Sequence, residues 1–186
     1  MRRVTVFEQL SLDGYFADSN SDMSWAHKDD PEWNAFAGAN ASGGGVLLFG
    51  RRTYELMASF WPTPQAMEQL PEVAEGMNRM PKMVFSRTLD RATWNNTTLL
   101  RGDPAAEVRR LKRQEGPDMA ILGSGSIVSQ LVDAGLIDFY QIVVNPIVLG
   151  RGRSPFNGVT RRRSMKLTES RAFANGNVVL SYEPIA

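Results

Sequence analysis

Val46–Phe49 is an unbroken apolar run closed by Gly45 on one side and Gly50 on the other. A strand of this pattern has no solvent face, so it belongs inside a sheet covered on both sides. Met119–Leu122 repeats the pattern and ends in Gly123-Ser124-Gly125. Val4–Leu10, Lys82–Ser86 and Asp138–Val144 are further strand-like runs. Helix signals fall between them. Asp30-Pro31-Glu32 supplies a cap, a proline at the first helical position and an acid in the first turn. Trp33, Phe36 and Ala37 then share a face. Asp103-Pro104 opens a second helix, through Gln114, that Gly116-Pro117 closes. Alternation of buried strands and capped helices predicts a parallel sheet with helices on its faces.

The remaining elements fit that frame. Gly50-Arg51-Arg52-Thr53 leads into a helix over Tyr54–Phe60, which Trp61-Pro62-Thr63-Pro64 stops. The Met- and Glu-rich stretch to Met80 reads as partly helical. A strand pair is expected around Trp94–Arg101, with Asn95-Asn96 as its turn. Ser126–Ala134 reads as a helix ending at Gly135. Ser164–Arg171 and Val178–Tyr182 flank Asn175-Gly176, a two-residue hairpin signal. The fold class expected is α/β, three-layered, with a mainly parallel central sheet and an antiparallel C-terminal hairpin. No internal repeat, low-complexity tract or linker divides the chain, and 186 residues suit a single domain over 1–186.

Composition excludes several chemistries. There is no cysteine, so no disulfide, thiolate nucleophile or zinc ribbon forms. A single histidine, His27, and the lack of a G-x-S-x-G elbow argue against a serine hydrolase. The carboxylates show no metal-ligand spacing. A formal charge of +1 gives no bulk attraction to nucleic acid. Arg161-Arg162-Arg163 reads as a solvated turn, without aromatic interleaving. No apolar stretch approaches membrane length and no signal-peptide core follows Met1-Arg2-Arg3, so a cytoplasmic protein without membrane partners is expected.

Two strand-to-helix junctions are rich in glycine and hydroxyls: Phe49-Gly50-Arg51-Arg52-Thr53 and Leu122-Gly123-Ser124-Gly125-Ser126. Helix starts offer free N–H groups and partial positive charge, and glycine lets a phosphate reach the backbone. Two such junctions at carboxyl ends of parallel strands can grip one pyrophosphate. Neither is a G-x-G-x-x-G fingerprint, and each alone is explained by a tight turn. In Val84-Phe85-Ser86-Arg87 a hydroxyl and a guanidinium follow a buried strand. Arginine pairs phosphate bidentately. Trp25, Tyr54 and Trp61 could line a pocket for a flat ring, although core packing explains Tyr54 and Trp33. His27 could donate a proton, but an exposed loop residue is the simpler reading.

In order and spacing these junctions resemble the dihydrofolate-reductase superfamily. Ser11-Leu12-Asp13-Gly14-Tyr15-Phe16-Ala17, followed by Met23-Ser24-Trp25, resembles that fold's mobile active-site loop. Ser-Leu-Asp-Gly, together with Asn145-Pro146-Ile147-Val148-Leu149-Gly150-Arg151-Gly152, is similar to the reductase domain of the bifunctional riboflavin-biosynthesis deaminase/reductase. The resemblance runs from Val4 to Tyr182. It implies NADPH as cofactor, with Gly50, Arg51 and Thr53 at one helix start and Gly123, Ser124, Gly125 and Ser126 at the other. Ser86 and Arg87 would flank the adenosine phosphate. Leu12, Asp13 and Ala17 would lie near nicotinamide and substrate. It implies a small-molecule substrate: first a 5-amino-6-(5-phosphoribosylamino)uracil-like compound of riboflavin biosynthesis, second a dihydropterin. Catalytic candidates are Asp13 and Glu32, and substrate-binding candidates are Trp25 and Trp61. Helix capping explains Asp30 and competes for Glu32. The zinc deaminase activity of that bifunctional enzyme is expected to be absent, since its zinc site needs cysteines. A homodimer is implied. A nucleotide-binding protein without catalysis and a purely structural domain are the rival readings.

Overall fold

The computed structural model describes residues 1–26, 30–42 and 44–185. His27, considered above as a proton donor, lies outside the described residues.

The centre of the molecule is β1 (Val4–Ser11). Its residues alternate between the two sheet faces. Val4, Val6 and Leu10 join a core with Val108 and Leu111 of α5 (Pro104–Lys112) and Ile127, Val128 and Leu131 of α6 (Gly125–Asp133). Phe7 points the other way, toward Trp33 and Phe36 of α1 (Pro31–Ser42). On that second face Leu47 and Phe49 of β3 (Val46–Gly50) pack with Tyr54 of α2 (Arg51–Phe60) and Met77 of α4 (Pro71–Arg79). A short α3 (Pro64–Gln69) precedes α4. Helices thus cover both faces of the sheet.

Adding β4 (Lys82–Phe85), β5 (Thr97–Leu100), β6 (Met119–Leu122), β7 (Phe139–Asn145), β9 (Met165–Ala172) and β10 (Val178–Pro184) gives eight strands in the order β5-β4-β3-β6-β1-β7-β10-β9. The pairs from β5 to β7 are parallel, and β10 runs antiparallel to both β7 and β9. This is the mainly parallel sheet with an antiparallel C-terminal hairpin expected from the sequence.

The caps work as the sequence indicates. Trp33 N–H donates to the Asp30 carboxylate at 2.7 Å, and Ala106 N–H to that of Asp103 at 2.9 Å. Both satisfy a helix donor that lacks an intrahelical partner. Differences are local. α2 starts at Arg51 and α6 at Gly125, so both glycine-rich junctions enter their helices without spacer residues. The region around Trp94–Arg101 holds one strand, not two. Trp94 is buried against Phe49 and Tyr54, and Asn96 takes a left-handed φ of 58° that turns the chain into β5.

Two pairing limits shape the carboxyl edge of the sheet. β1 pairs with β6 over Val4–Phe7 but with β7 over Thr5–Ser11. Beyond Phe7, therefore, β1 and β6 part. β6 ends there while β1 runs on, and the split this leaves in the pairing lies beside Gly123, on the edge where β3 and β4 also end.

Candidate active site

The two glycine-rich junctions form one structure. Gly50 N–H donates to Ser124 Oγ at 2.9 Å, which ties the start of α2 to the start of α6. Ser124 sits in the left-handed region at φ 68° and Gly123 at φ 62°. Those turns fold the chain back so that a Cβ on Gly123 would stand 3.3 Å from Thr53 Cγ2. Gly50, Thr53, Gly123 and Ser124 are thereby brought together. Gly125 serves a different contact: its missing Cβ leaves room for the Phe16 ring and the Pro155 backbone, 2.8 and 3.2 Å from where that atom would be. It is the seat for the N-terminal loop.

Ser126 and Ile127 continue from this junction into a cleft of about 330 Å³ shared with Phe85, Ser86, Arg87, Gly102, Asp103 and Pro104. The structure thus places Ser86, Arg87 and Ser126 around one space. Arg87 is exposed, and no carboxylate among the described residues pairs with it. Ser86 Oγ accepts Leu89 N–H at 2.9 Å and holds the turn after β4. Asp103 also lines the cleft, with its carboxylate engaged at the start of α5. Arg51 is turned outward, bonded to Glu55 at 2.7 Å and to Thr88 at 2.8 Å.

The N-terminal loop is clasped to the segment after β7. Leu12 N–H donates to the Ile147 carbonyl at 2.7 Å, and Phe16 N–H to that of Arg153 at 2.8 Å. The Asp13 carboxylate accepts Leu149 N–H at 3.1 Å, Gly150 N–H at 2.7 Å and Ser11 Oγ at 2.7 Å. The hydroxyl of Ser11 first, then the backbone amides, hold the Asp13 carboxyl below its ordinary range. The short strands β2 (Ala17–Asp18) and β8 (Gly152–Arg153) close the clasp. A Cβ on Gly152 would collide with the Ala17 carbonyl, so glycine is required there. Leu12, in contrast, is 67% exposed at the loop tip.

The other candidates stand apart. Glu32 pairs with Arg171 of β9 at 2.7 Å on the surface of α1. Trp25 is in a single 3-10 turn (Ser24–Ala26), its ring N–H donating to the Asp22 carbonyl at 3.2 Å. Trp61 ends α2, stacked edge-on against Phe60 and packed on the α2–α4 core. No ring contact joins Trp25 to Trp61 among the described residues.

Glu8 is the residue that reading the sequence passed over. It lies in the middle of β1, only 2% exposed, and its Oε1 has no hydrogen-bond partner. Burial pushes its carboxyl up to about 8. A carboxylate on the buried face of β1, in alternation with Val4, Val6 and Leu10, is the signal that marks it. No group of His, Cys, Asp and Glu among the described residues has the arrangement of a metal site, and no described helix is long and apolar enough to cross a membrane.

Residues 2–179 match the family described as the RibD C-terminal domain. The chain belongs to that family. Two relatives from Bacillus subtilis (strain 168) are similar along nearly their whole length. The uncharacterized protein YyaP is 26% identical over 181 residues, 97% of this chain and 94% of its own. The uncharacterized protein YwjB is 24% identical over 173 residues, 92% of each. Among solved structures, a protein from Shewanella sp. PV-4, whose given name links it to riboflavin biosynthesis, superposes with a TM-score of 0.75 at 22% identity over 99% of both chains. The diaminohydroxyphosphoribosylaminopyrimidine deaminase/5-amino-6-(5-phosphoribosylamino)uracil reductase of Thermotoga maritima gives 0.70 at 14% identity, over 99% of this chain and 57% of that one. A pyrimidine reductase-like protein from Corynebacterium diphtheriae gives 0.63 at 12%, over 100% and 92%. The dihydrofolate-reductase-like fold of the RibD reductase domain is the fold of this chain.

Proposed function

We propose that this RibD C-terminal domain protein is an NADPH-dependent reductase of a small heterocycle. The observation that carries the reading is the latch between Gly50 and Ser124 beside the Arg87 cleft. It brings two helix starts together, where their free N–H groups would share a pyrophosphate. The sheet then gives the cofactor a direction. Ser86 and Arg87 follow β4, the two junctions follow β3 and β6, and the split flanks β1. From β4 to β1 is three strand spacings, about 14 Å. The adenosine phosphate would sit at Ser86, Arg87 and Ser126, and the pyrophosphate at Gly50, Arg51, Thr53, Gly123, Ser124 and Gly125. The nicotinamide end would lie at the split, under Leu12 and Ala17.

NADPH supplies hydride chemistry, and this chain supplies position, charge and exclusion of water. Arg87 would pair the extra phosphate. Asp13 would keep the Ser11–Ala17 loop over the reacting ring. Trp25 and Trp61 would contribute flat walls, and Glu32 is the carboxylate of α1 to test by Glu32→Gln. The substrate class is a ribosylaminopyrimidine, the compound named for the Thermotoga maritima neighbour's reductase half. A dihydropterin is the second candidate. A cytoplasmic homodimer, each protomer a single domain, completes the reading.

Titration with NADPH and NADH, followed by nicotinamide fluorescence, tests it. Saturable binding with NADPH preferred is the expected result. Failure of both to bind would favour a protein that kept the fold for another ligand.

A further inference from the structure

A reduction of C=N or C=O needs a proton as well as a hydride, and Asp13, Glu32 and Glu8 are the carboxyl groups that could supply it. Asp13 cannot serve as the store. Its oxygens accept from Ser11, Leu149 and Gly150, and those bonds favour the anion. Glu32 is an exposed ion pair with Arg171. Glu8 differs from both. It is the first residue of β1 past the point where β6 stops pairing, so it stands level with Gly123 in the split. One carboxyl oxygen is sealed without a partner. Such a group carries a large desolvation cost as an anion and none of the hydrogen bonds that would offset it.

We propose that Glu8 is the proton donor of the reduction, held in the split between β1 and β6 where the reacting ring enters. The proposal rests on the reductase reading above. In the step, a hydride adds to the substrate's electrophilic carbon and the Glu8 proton adds to its nitrogen or oxygen. The hydride would come from NADPH, which would be left as the positively charged NADP+ ring. Glu8 is left as carboxylate and regains its proton from solvent.

The surroundings bring little competing charge. β6 has no titratable residue. On the same face of β7 stands Tyr140, its hydroxyl pushed up to about 12, chiefly by burial. In α6, Asp133 is bonded to Thr160 and Arg161. In α5, Lys112 pairs with Asp138, which caps Val4 at the opposite end of β1, while Glu107 pairs with Arg110 and Arg109 is exposed. The covering loop adds Asp13, already engaged, with Tyr15 and Asp18.

The test uses the intact protein with NADPH and, as substrate probe, 5-amino-6-(5-phosphoribosylamino)uracil. Infrared spectroscopy of wild type near neutral pH should show a protonated carboxyl band that Glu8→Gln removes and that saturating NADPH shifts. Turnover of the probe should fall by about 100-fold or more in Glu8→Gln, the usual worth of a general acid. NADPH affinity should stay unchanged. A band that is absent, or unmoved while fluorescence reports bound NADPH, overturns the proposal. So does full turnover by Glu8→Gln. Loss of NADPH binding by the wild type itself is the separate failure of the reductase reading, and no proton donor is then needed.

Discussion

Glu8 and Lys82 are both almost fully buried, and they displace stability with pH in opposite senses. Glu8 is raised to about 8 in the fold, so it is protonated there while an unfolded glutamic acid ionises near 4.3. Its favourable contribution is present below that ordinary value and is lost as pH rises through about 8. Lys82 is lowered to about 8 by burial. Its ammonium donates to the Met77 carbonyl at 2.8 Å, closing the end of α4, and to that of Met80 at 2.6 Å, and it lies 4.4 Å from the Trp94 ring centre. Its lowered value means that stability grows as pH rises from about 8 toward the ordinary lysine range. Melting temperature against pH should therefore dip near pH 8. The two limbs slope in opposite senses, so the dip separates their contributions. Glu8→Gln should flatten the acid limb alone and Lys82→Met the alkaline limb alone. A melting curve without the dip would mean that at least one of the two groups does not titrate as its burial requires.

Arg87 makes a cofactor prediction at the same scale. It is exposed in its cleft with no acidic partner among the described residues. Arg87→Ala should weaken NADPH about ten- to hundredfold, the size of a lost charge-assisted bond, and leave NADH nearly unaffected. Equal weakening of the two would remove Arg87 from the phosphate.

At the scale of elements, the loop after β1 and the segment after β7 behave as one unit, with Asp13 as its fastener. Asp13→Ala removes the acceptor for Leu149 and Gly150. Faster hydrogen exchange at those two amides is expected, with the sheet unaffected. Unchanged exchange would show that the backbone bonds of Leu12 and Phe16 suffice. Both motifs of this clasp stand out in the sequence, yet nothing in their spacing says that they touch. The same limit holds elsewhere. Asp30 and Asp103 are legible as caps because capping acts within a few residues. The buried runs of β3 and β6 are legible because their pattern is local. The latch from Gly50 to Ser124, the seat of Phe16 on Gly125 and the solitude of Glu8 are contacts between distant segments, and local pattern does not contain them. Trp94 was misleading for the same reason: its aromatic character suits a strand, but its partners are Phe49 and Tyr54.

At the scale of the molecule, the unresolved demand is at the sheet's edge. β9 ends the sheet, and seven of its eight residues are exposed. An exposed edge of this length is a template for pairing unless something covers or blunts it. Lys166, Glu169 and Arg171 blunt it with charge, but Leu167 remains 49% exposed and Phe156 39%. Between Phe156 and the strand lies a groove lined by Val132, Val159 and Met165 and rimmed by Arg161, Arg162 and Arg163. Tyr140 and Ile142 of β7 are buried in the core that α6 covers, whereas Tyr182 of β10 and Met165 of β9 are only partly buried against it. A second copy related by two-fold symmetry offers the same apolar strip and alternating charges in reverse order, as a self-complementary interface needs. Sedimentation should therefore report a dimer. Leu167→Glu places two like charges near the axis and should shift the protein to monomer without lowering its melting temperature at high dilution. A wild type that sediments as a monomer at all concentrations would leave charge alone as the protection of this edge.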